Sequence, residues 1–293
     1  METKRSNLLG VAVDWPRELP GERHFRRPHF QECYGQALTS TDTPDGIVST
    51  VGAALRDSNR PDFETVSKAG LSLLACADRL VATDAACSGD IDAVDGVKKA
   101  VEYYHFAGNN FSRLNQFERA AEFYLCSGLA GIALLKFTRP AARDKLAATT
   151  ELAHRSLLRA RSFFRQSGDD LNAERAWVEA FELQRLNSPV FSLKRAGFEV
   201  WRTASRYGTE MTAGGWLMIL GSWVLFTGLR LQFSVEPPSL SEAAVDAALA
   251  LLTLDEISGS GVPIGLRFAN AVIGLGLTGL LVQLIFQKLS SRS

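Results

Sequence analysis

The sequence predicts an all-α protein in which a helical domain is followed by a two-helix membrane module. From residue 61 to residue 187, apolar side chains recur in successive segments at the spacing of one helix face. Residues 214–229 and 268–287 are apolar and uncharged, and helices of about 20 such residues cross a hydrocarbon core of about 30 Å. Most of the 32 basic and 32 acidic residues precede residue 214. The two parts therefore differ in charge as well as in pattern.

Residues 1–60 are predicted to be irregular apart from a short helix near 46–56, because several prolines and a turn-forming run at 39–46 interrupt them. The chain begins with basic residues, but the apolar run that follows stops at Asp14 and Pro16, too early for a secretory signal. This region is therefore expected to stay in the cytoplasm. Its basic and aromatic piece at 22–30 fits either a contact with an acidic partner or lipid, or a solvated edge.

Residues 61–187 are predicted to form a cytoplasmic domain of packed helices. The segments 101–108, 121–128 and 161–168 share an aromatic pair and a final glycine. We interpret each as a helix that packs its aromatics in the core and ends at a left-handed glycine. The aromatics could alternatively line a concave binding face. Residues 97–186 resemble tetratricopeptide-type (TPR) repeats, and that resemblance implies a helical-repeat domain that binds a protein or ligand.

No constellation for catalysis is visible in the helical domain. It shows no acid–base pair, nucleophile triad, phosphate loop or metal cluster, so the chain is not expected to be an enzyme and no cofactor is predicted. His105 and His154 stand alone and are expected to be structural. The balanced charge excludes a general attraction to nucleic acid. The four cysteines lack C-x-x-C spacing and are predicted to be buried reduced thiols: Cys33, Cys76, Cys87 and Cys126.

Residues 188–212 are predicted to form a basic amphipathic helix beside the membrane. Tryptophan and basic side chains are typical of the headgroup layer. The alternative is an ordinary linker helix packed on the helical domain. The predicted membrane-interface anchors are Lys194, Arg195, Trp201, Arg202 and Arg206.

Residues 213–293 are predicted to cross the membrane twice. Basic residues precede the first span and follow the second, while acids prevail between them. The positive-inside rule therefore predicts a multi-pass protein of the plasma membrane with both termini in the cytoplasm. Between the spans, Ser239 and Glu242 have the spacing of a capping box, which starts a short helix that ends near Thr253. This helix is too short to span, and we expect it to dip into the bilayer.

The order of span, short helix ending in threonine, Gly-x-Gly, proline and glycine-containing span resembles the two-transmembrane pore-loop channels of the potassium-channel superfamily. The resemblance implies a homotetramer, and it places the selectivity filter after the short helix. Ser260 stands where that family has tyrosine, so the filter is not of the standard potassium type. The Thr-Leu-acid start is similar to the filter of bacterial sodium channels. The predicted filter residues are Thr253, Leu254, Asp255, Glu256, Ile257, Ser258, Gly259, Ser260 and Gly261.

Two features of this module have alternative explanations. Asp255 and Glu256 would form a carboxylate ring that attracts cations in an oligomer, or they lie in a solvated outer turn. The glycines of the second span fit either a hinge or close helix packing. The candidate hinge or pore-lining residues are Asn270, Gly274, Gly276, Thr278 and Gly279.

Two functions of different classes remain open from the sequence. The first is an oligomeric channel for a monovalent or divalent cation, with the cytoplasmic domain as a sensor or partner-binding part. The alternative is a membrane-anchored helical-repeat adaptor or scaffold that does not conduct. Both imply contact with membrane lipids.

Overall fold

The computed structural model describes residues 4–8, 11–15, 34, 36, 43–57, 63–86, 91–209, 213–233 and 238–253. The chain divides into a helical unit, Met1–Ser192, and a C-terminal unit, Leu193–Ser293. The helical unit contains β1 (Lys4–Leu8), β2 (Val11–Trp15), α1 (Pro44–Asp57), α2 (Phe63–Ala86), α3 (Ile91–Arg113), α4 (Phe117–Phe137), a 3-10 helix (Pro140–Leu146), α5 (Ala147–Gln166) and α6 (Asp170–Asn187). The C-terminal unit contains α7 (Leu193–Ser205), a 3-10 turn (Arg206–Gly208), α8 (Ala213–Phe233) and α9 (Leu240–Thr253).

The predicted α-helical class is confirmed for the described chain, with one addition near the N-terminus. There β1 and β2 form an antiparallel hairpin in the register Lys4↔Trp15 and Leu8↔Val11. Val11, Val13 and Trp15 alternate with shorter or polar residues, which is the period of a strand. That signal lies inside the segment predicted to be irregular.

The helical unit is built around α4. This helix contacts α3, α5 and α6, and consecutive helices from α1 to α6 pack on one another. Residues from Ala120 to Leu135 are almost all buried, because α4 is apolar on every side and has neighbours around it. Among the described residues, α4 is also the one helix whose length and hydropathy would suit a membrane span, yet 89% of its apolar window is buried. That burial identifies α4 as the core helix of this unit.

The aromatic pairs of the helical unit lie in its core, as predicted, except that Phe163 is only partly buried. Tyr104 and Phe123 are fully buried, and Phe164 is 1% exposed. Their ring contacts include Phe111 with Phe123, at 5.1 Å between centroids. The alternative of a concave aromatic binding face is therefore not needed for these three side chains.

The predicted glycine helix ends are right at one position and wrong at two. Gly168 has φ of +77° and ends α5, while Asp169 caps α6 by accepting from the backbone N–H of Asn172 at 3.1 Å. Gly108 and Gly128 instead lie inside α3 and α4. A Cβ there would come within 2.8 Å of Tyr124 and 2.2 Å of Leu157. These two glycines allow close packing of the helices and do not end a helix.

The described part of the C-terminal unit follows the predicted element order. The predicted juxtamembrane helix is α7, the first apolar segment is α8, and the short helix after the capping box is α9. α8 packs on α7 and on α9. The second apolar segment, 268–287, lies outside the described residues.

Candidate functional site

The predicted pore lies almost wholly outside the described residues. Thr253 is the last residue of α9. Residues 254–261, which complete the predicted filter, and the candidate hinge or pore-lining residues Asn270, Gly274, Gly276, Thr278 and Gly279 are not among those described. The pore therefore stays a prediction.

α8 carries a large apolar surface that the other described residues leave uncovered. Trp216 is 60% exposed, Leu217 67%, Leu220 53%, Val224 58% and Leu225 56%. The first four recur at helical spacing on one face. Single exposed apolar side chains are ordinary, but a contiguous patch of this kind marks contact with a partner or a membrane.

α9 is fixed to α8 by polar contacts as well as by apolar packing. The indole Nε1 of Trp223 donates to the backbone oxygen of Ala244 at 2.8 Å. Arg230, the one charged residue of α8, forms an ion pair with Asp246. The Arg230 Nε atom is buried and has no hydrogen-bond partner among the described residues. Ala243 is fully buried and Ala247 is 2% exposed. The pairing offsets the cost of a charge on an otherwise apolar helix.

The capping box that the sequence predicts at the start of α9 is confirmed. The backbone N–H of Ser239 donates to Glu242 Oε2 at 2.9 Å. In return the backbone N–H of Glu242 donates to Ser239 Oγ at 3.3 Å. Two backbone donors at the helix start are thereby satisfied.

The five predicted interface anchors lie in α7 and the turn after it. Lys194, Arg202 and Arg206 are exposed, while Arg195 and Trp201 are partly buried. Arg202 pairs with Glu199 at 2.9 Å. The Trp201 ring meets Tyr207 edge to face at 6.0 Å.

α7 also exposes apolar side chains. Leu193 is 93% exposed and Val200 is 56% exposed. They stand seven residues apart, hence on one face. α7 thus offers both charged and apolar contacts, which is the pattern of an interfacial helix.

A second candidate site, which the sequence analysis missed, is a cleft between α3, α4 and α5. Its volume is about 490 Å³. Four of its residues come from α3 at helical spacing and so share one face of that helix. This shared face was the feature of the sequence that could have indicated the cleft. The lining residues are His105, Asn109, Ser112, Arg113, Tyr124, Arg159 and Phe163.

Hydrogen bonds hold the floor of this cleft. Asn109 Oδ1 accepts from the Tyr124 hydroxyl at 2.7 Å and from Arg159 Nη1 at 2.5 Å. The Arg159 guanidinium also lies 5.7 Å from the centre of the Tyr124 ring. Burial raises the pKa of Tyr124, and the hydrogen bond from Arg159 opposes that rise. The phenol therefore stays neutral and serves as a donor.

His105 at the inner side of the cleft has the partner that the sequence did not reveal. Its Nδ1 lies 2.8 Å from Ser156 Oγ, and Ser156 Oγ lies 3.0 Å from Ser127 Oγ. Burial lowers the pKa of His105 to about 4, and Arg159 and Arg155 add to the effect. The imidazole is thus neutral at physiological pH. The expectation of a structural role is consistent with this buried network.

The polar group at the centre of the helical unit is Asp78, which is fully buried. Its Oδ2 accepts from the Tyr34 hydroxyl at 2.7 Å, and its Oδ1 accepts from the Tyr104 hydroxyl at 2.6 Å. Burial, with the Asp78 charge next in importance, raises the pKa of Tyr104 well above its ordinary value. These contacts join α2 and α3 inside the core.

Of the cysteines, Cys76 and Cys126 are described, and both are buried and free, as predicted. Burial raises the pKa of Cys76 to about 11, so its thiol is protonated. Among the described residues no group of three or more His, Cys, Asp or Glu side chains could hold a metal.

No family model, curated protein or solved structure matches this chain.

Proposed function

We propose that this protein is membrane-anchored, with α8 in the bilayer and the helical unit held at the cytoplasmic face as a partner-binding domain. The observation that carries the proposal is the uncovered apolar face of α8, from Trp216 to Leu225. Among the described residues, the length and hydropathy that suit a membrane span are found in α4, so the proposal for α8 rests on this exposed face and not on its mean hydropathy. A hydrocarbon core would cover these side chains. Transfer of a fully exposed Leu or Val side chain out of water contributes about 1.5–3 kcal/mol.

The charges around α8 support this placement. Within α8 the uncharged run reaches Leu229, and Arg230 is neutralised by Asp246. On the N-terminal side, the exposed Lys194, Arg202 and Arg206 suit lipid headgroups. The positive-inside rule then favours cytoplasmic termini in the plasma membrane.

Flotation of the full chain with phospholipid vesicles tests the anchor. The wild-type protein is expected to float with the vesicles at high salt, because apolar burial is not screened. The triple variant Leu217→Lys/Leu220→Lys/Val224→Lys should remain in the dense fraction. Leu171→Lys is the control, since Leu171 is 70% exposed on α6 of the other unit. Equal flotation of the triple variant and the control would refute the anchor.

The second candidate, an oligomeric cation channel, rests on α9. A plain two-span anchor has no use for a capped helix of 14 residues packed along its first span. In a tetramer, four such helices would point their C-terminal dipole ends at the pore axis and favour a cation there. Asp255 and Glu256 would then form the carboxylate ring.

Planar-bilayer recording of the purified full chain separates the two candidates. A channel predicts a cation current that Asp255→Asn/Glu256→Gln strongly reduces and that Asp170→Asn, an exposed acid of α6, leaves unchanged. A silent bilayer, with the protein shown to be inserted, would eliminate the channel and leave the anchored adaptor.

A further inference from the structure

We propose that the cleft between α3, α4 and α5 binds a small molecule through a phosphate or carboxylate group held by Arg159 and Arg113. The cleft lies wholly within the helical unit. The proposal therefore stands whether or not the chain conducts ions.

The cleft has the size and construction of a ligand site. Its volume of about 490 Å³ falls within the range of roughly 300–1,000 Å³ that small-molecule sites occupy. Tyr124 is 1% exposed, so the floor is a core side chain rather than a surface one. Phe163 stacks on Tyr124 at 5.8 Å and on Phe117 at 5.2 Å between ring centres. The walls are therefore formed before any ligand arrives.

Hydrogen bonds hold the Arg159 guanidinium in place through one of its nitrogens and leave donors on the other two for a ligand. Its hydrogen bonds to the described residues all come from Nη1, which donates to Asn109 Oδ1 at 2.5 Å and lies 3.3 Å from the Tyr124 oxygen. Among the described residues, its Nε and Nη2 have no acceptor. A guanidinium held by one nitrogen presents its remaining donors in a fixed fork, which matches the two oxygens of a carboxylate or phosphate.

The charge of the cleft has one sign. Its lining contains Arg113 and Arg159 and no aspartate or glutamate. Within the described part of the chain, neither arginine has an ion-pair partner. Contact with the Tyr124 ring accounts for part of the placement of Arg159, but it does not account for Arg113. Two unpaired cations around one cavity are stabilised by an anion between them.

His105 adds polarity rather than charge. Because burial lowers the pKa of His105 to about 4, the ring is neutral near pH 7. The positive charge of the site therefore comes from the two arginines. Asn109 and Ser112 add polar side chains to the lining. Selectivity for an oxyanion over a neutral molecule follows from this arrangement.

Isothermal titration calorimetry of the full chain in detergent micelles at low salt tests the site. The probes are adenosine 5′-monophosphate, citrate, inorganic phosphate and uncharged adenosine. We expect at least one of the three oxyanions to bind and adenosine not to bind. Tighter binding of the monophosphate than of citrate assigns a phosphate ligand, and the reverse assigns a carboxylate.

Charge-removing variants locate the binding. Arg159→Gln and Arg113→Gln are each expected to weaken binding about tenfold or more, since a charge-assisted hydrogen bond is lost. Arg159→Lys should fall between Arg159→Gln and wild type, because it keeps the charge and loses the fork. The matched control is Arg165→Gln, an exposed position of α5 that does not line the cleft. Circular dichroism verifies that each variant is folded.

Three results would overturn the proposal. They are the absence of heat from all three oxyanions at millimolar concentration, binding of adenosine as tight as that of the monophosphate, and a loss in Arg165→Gln equal to that in Arg159→Gln. None of them would bear on the flotation result, so failure of the ligand site and failure of the membrane anchor are distinguishable.

Discussion

Gly128 shows how closely two helices approach in the helical unit. It lies inside α4, and a Cβ at that position would come 2.2 Å from Leu157 Cγ of α5. Gly131, one turn later, meets Ala153 in the same way, at 2.4 Å. Small residues on α4 therefore set the distance between the two helices.

Gly128→Ala is expected to destabilise the protein by about 1–3 kcal/mol, because the added methyl overpacks the contact with Leu157. Gly52→Ala is the control, since Gly52 lies in α1 with nothing within 4 Å of the added carbon. The control should gain up to about 1 kcal/mol from its higher helix propensity. Denaturant unfolding followed by circular dichroism measures both. Shifts of the same sign would contradict the packing explanation.

His105 makes the stability of the helical unit depend on pH. The pKa of the ring falls from its ordinary 6.5 to about 4 in the folded chain, so between these values the unfolded chain binds a proton that the folded chain does not. Stability should therefore fall as the pH drops from about 6.5 to about 4, by on the order of 2 kcal/mol from this residue. In His105→Gln the slope over that window should flatten. An unchanged slope would contradict the buried neutral imidazole.

The hydrogen bonds that buried Asp78 accepts are also expected to contribute to the stability of the core. Tyr104→Phe deletes one of its two tyrosine donors and should cost about 1–2 kcal/mol. Tyr103→Phe is the paired control, since the Tyr103 hydroxyl donates to Asp45 at 2.6 Å, in an only part-buried contact. Its cost should be smaller, as water can replace the lost partner. Unfolding free energies in the reverse order would contradict this assignment.

At the scale of elements, the contact between α8 and α9 is the part of the C-terminal unit that can be tested by pairwise substitution. Arg230 and Asp246 are 16% and 37% exposed in their side chains. Removing one partner leaves the other charge unpaired next to an apolar helix, whereas removing both does not.

Arg230→Met and Asp246→Leu should each speed hydrogen exchange of the α9 amides. The double variant should recover most of the protection. Hydrogen exchange of the full chain in micelles, read by mass spectrometry, gives all three values. Ser239→Ala serves as a reference for loosening α9 by loss of its cap, at a cost of about 1 kcal/mol. A double variant less protected than either single variant would contradict the ion-pair account.

Local signals made several elements predictable. The uncharged run 214–229 lies in α8, and Ser239 and Glu242 cap the start of α9. Gly168 and Asp169 separate α5 from α6. Each of these depends on residues that are neighbours in sequence, so pattern and capping chemistry suffice.

Features that depend on distant residues were missed or misread. The cleft joins α3, α4 and α5, and its Asn109–Arg159 contact spans 50 positions in sequence. Gly108 and Gly128 were predicted as helix ends because the sequence does not show which side chain will approach them. Tertiary contacts decided each of these outcomes.

At the scale of the whole molecule, the two units differ in how far their apolar helices are covered by other elements. In the helical unit the most apolar helix, α4, is enclosed by its neighbours. In the C-terminal unit α8 exposes five large apolar side chains between Trp216 and Leu225, although Phe226 is buried. An enclosed core needs no further partner, whereas an uncovered apolar helix does. This contrast is the basis for proposing a membrane anchor on the C-terminal unit.

Spin-label accessibility tests the membrane anchor most directly. Labels at Leu220→Cys on α8 and Leu171→Cys on α6, in full chains without other cysteines, are compared in lipid vesicles. With α8 in the bilayer, the label at position 220 is expected to collide readily with oxygen and to be shielded from a water-soluble nickel complex, while the label at 171 shows the reverse. Nickel accessibility at 220 equal to that at 171 would show α8 in water and contradict the membrane anchor.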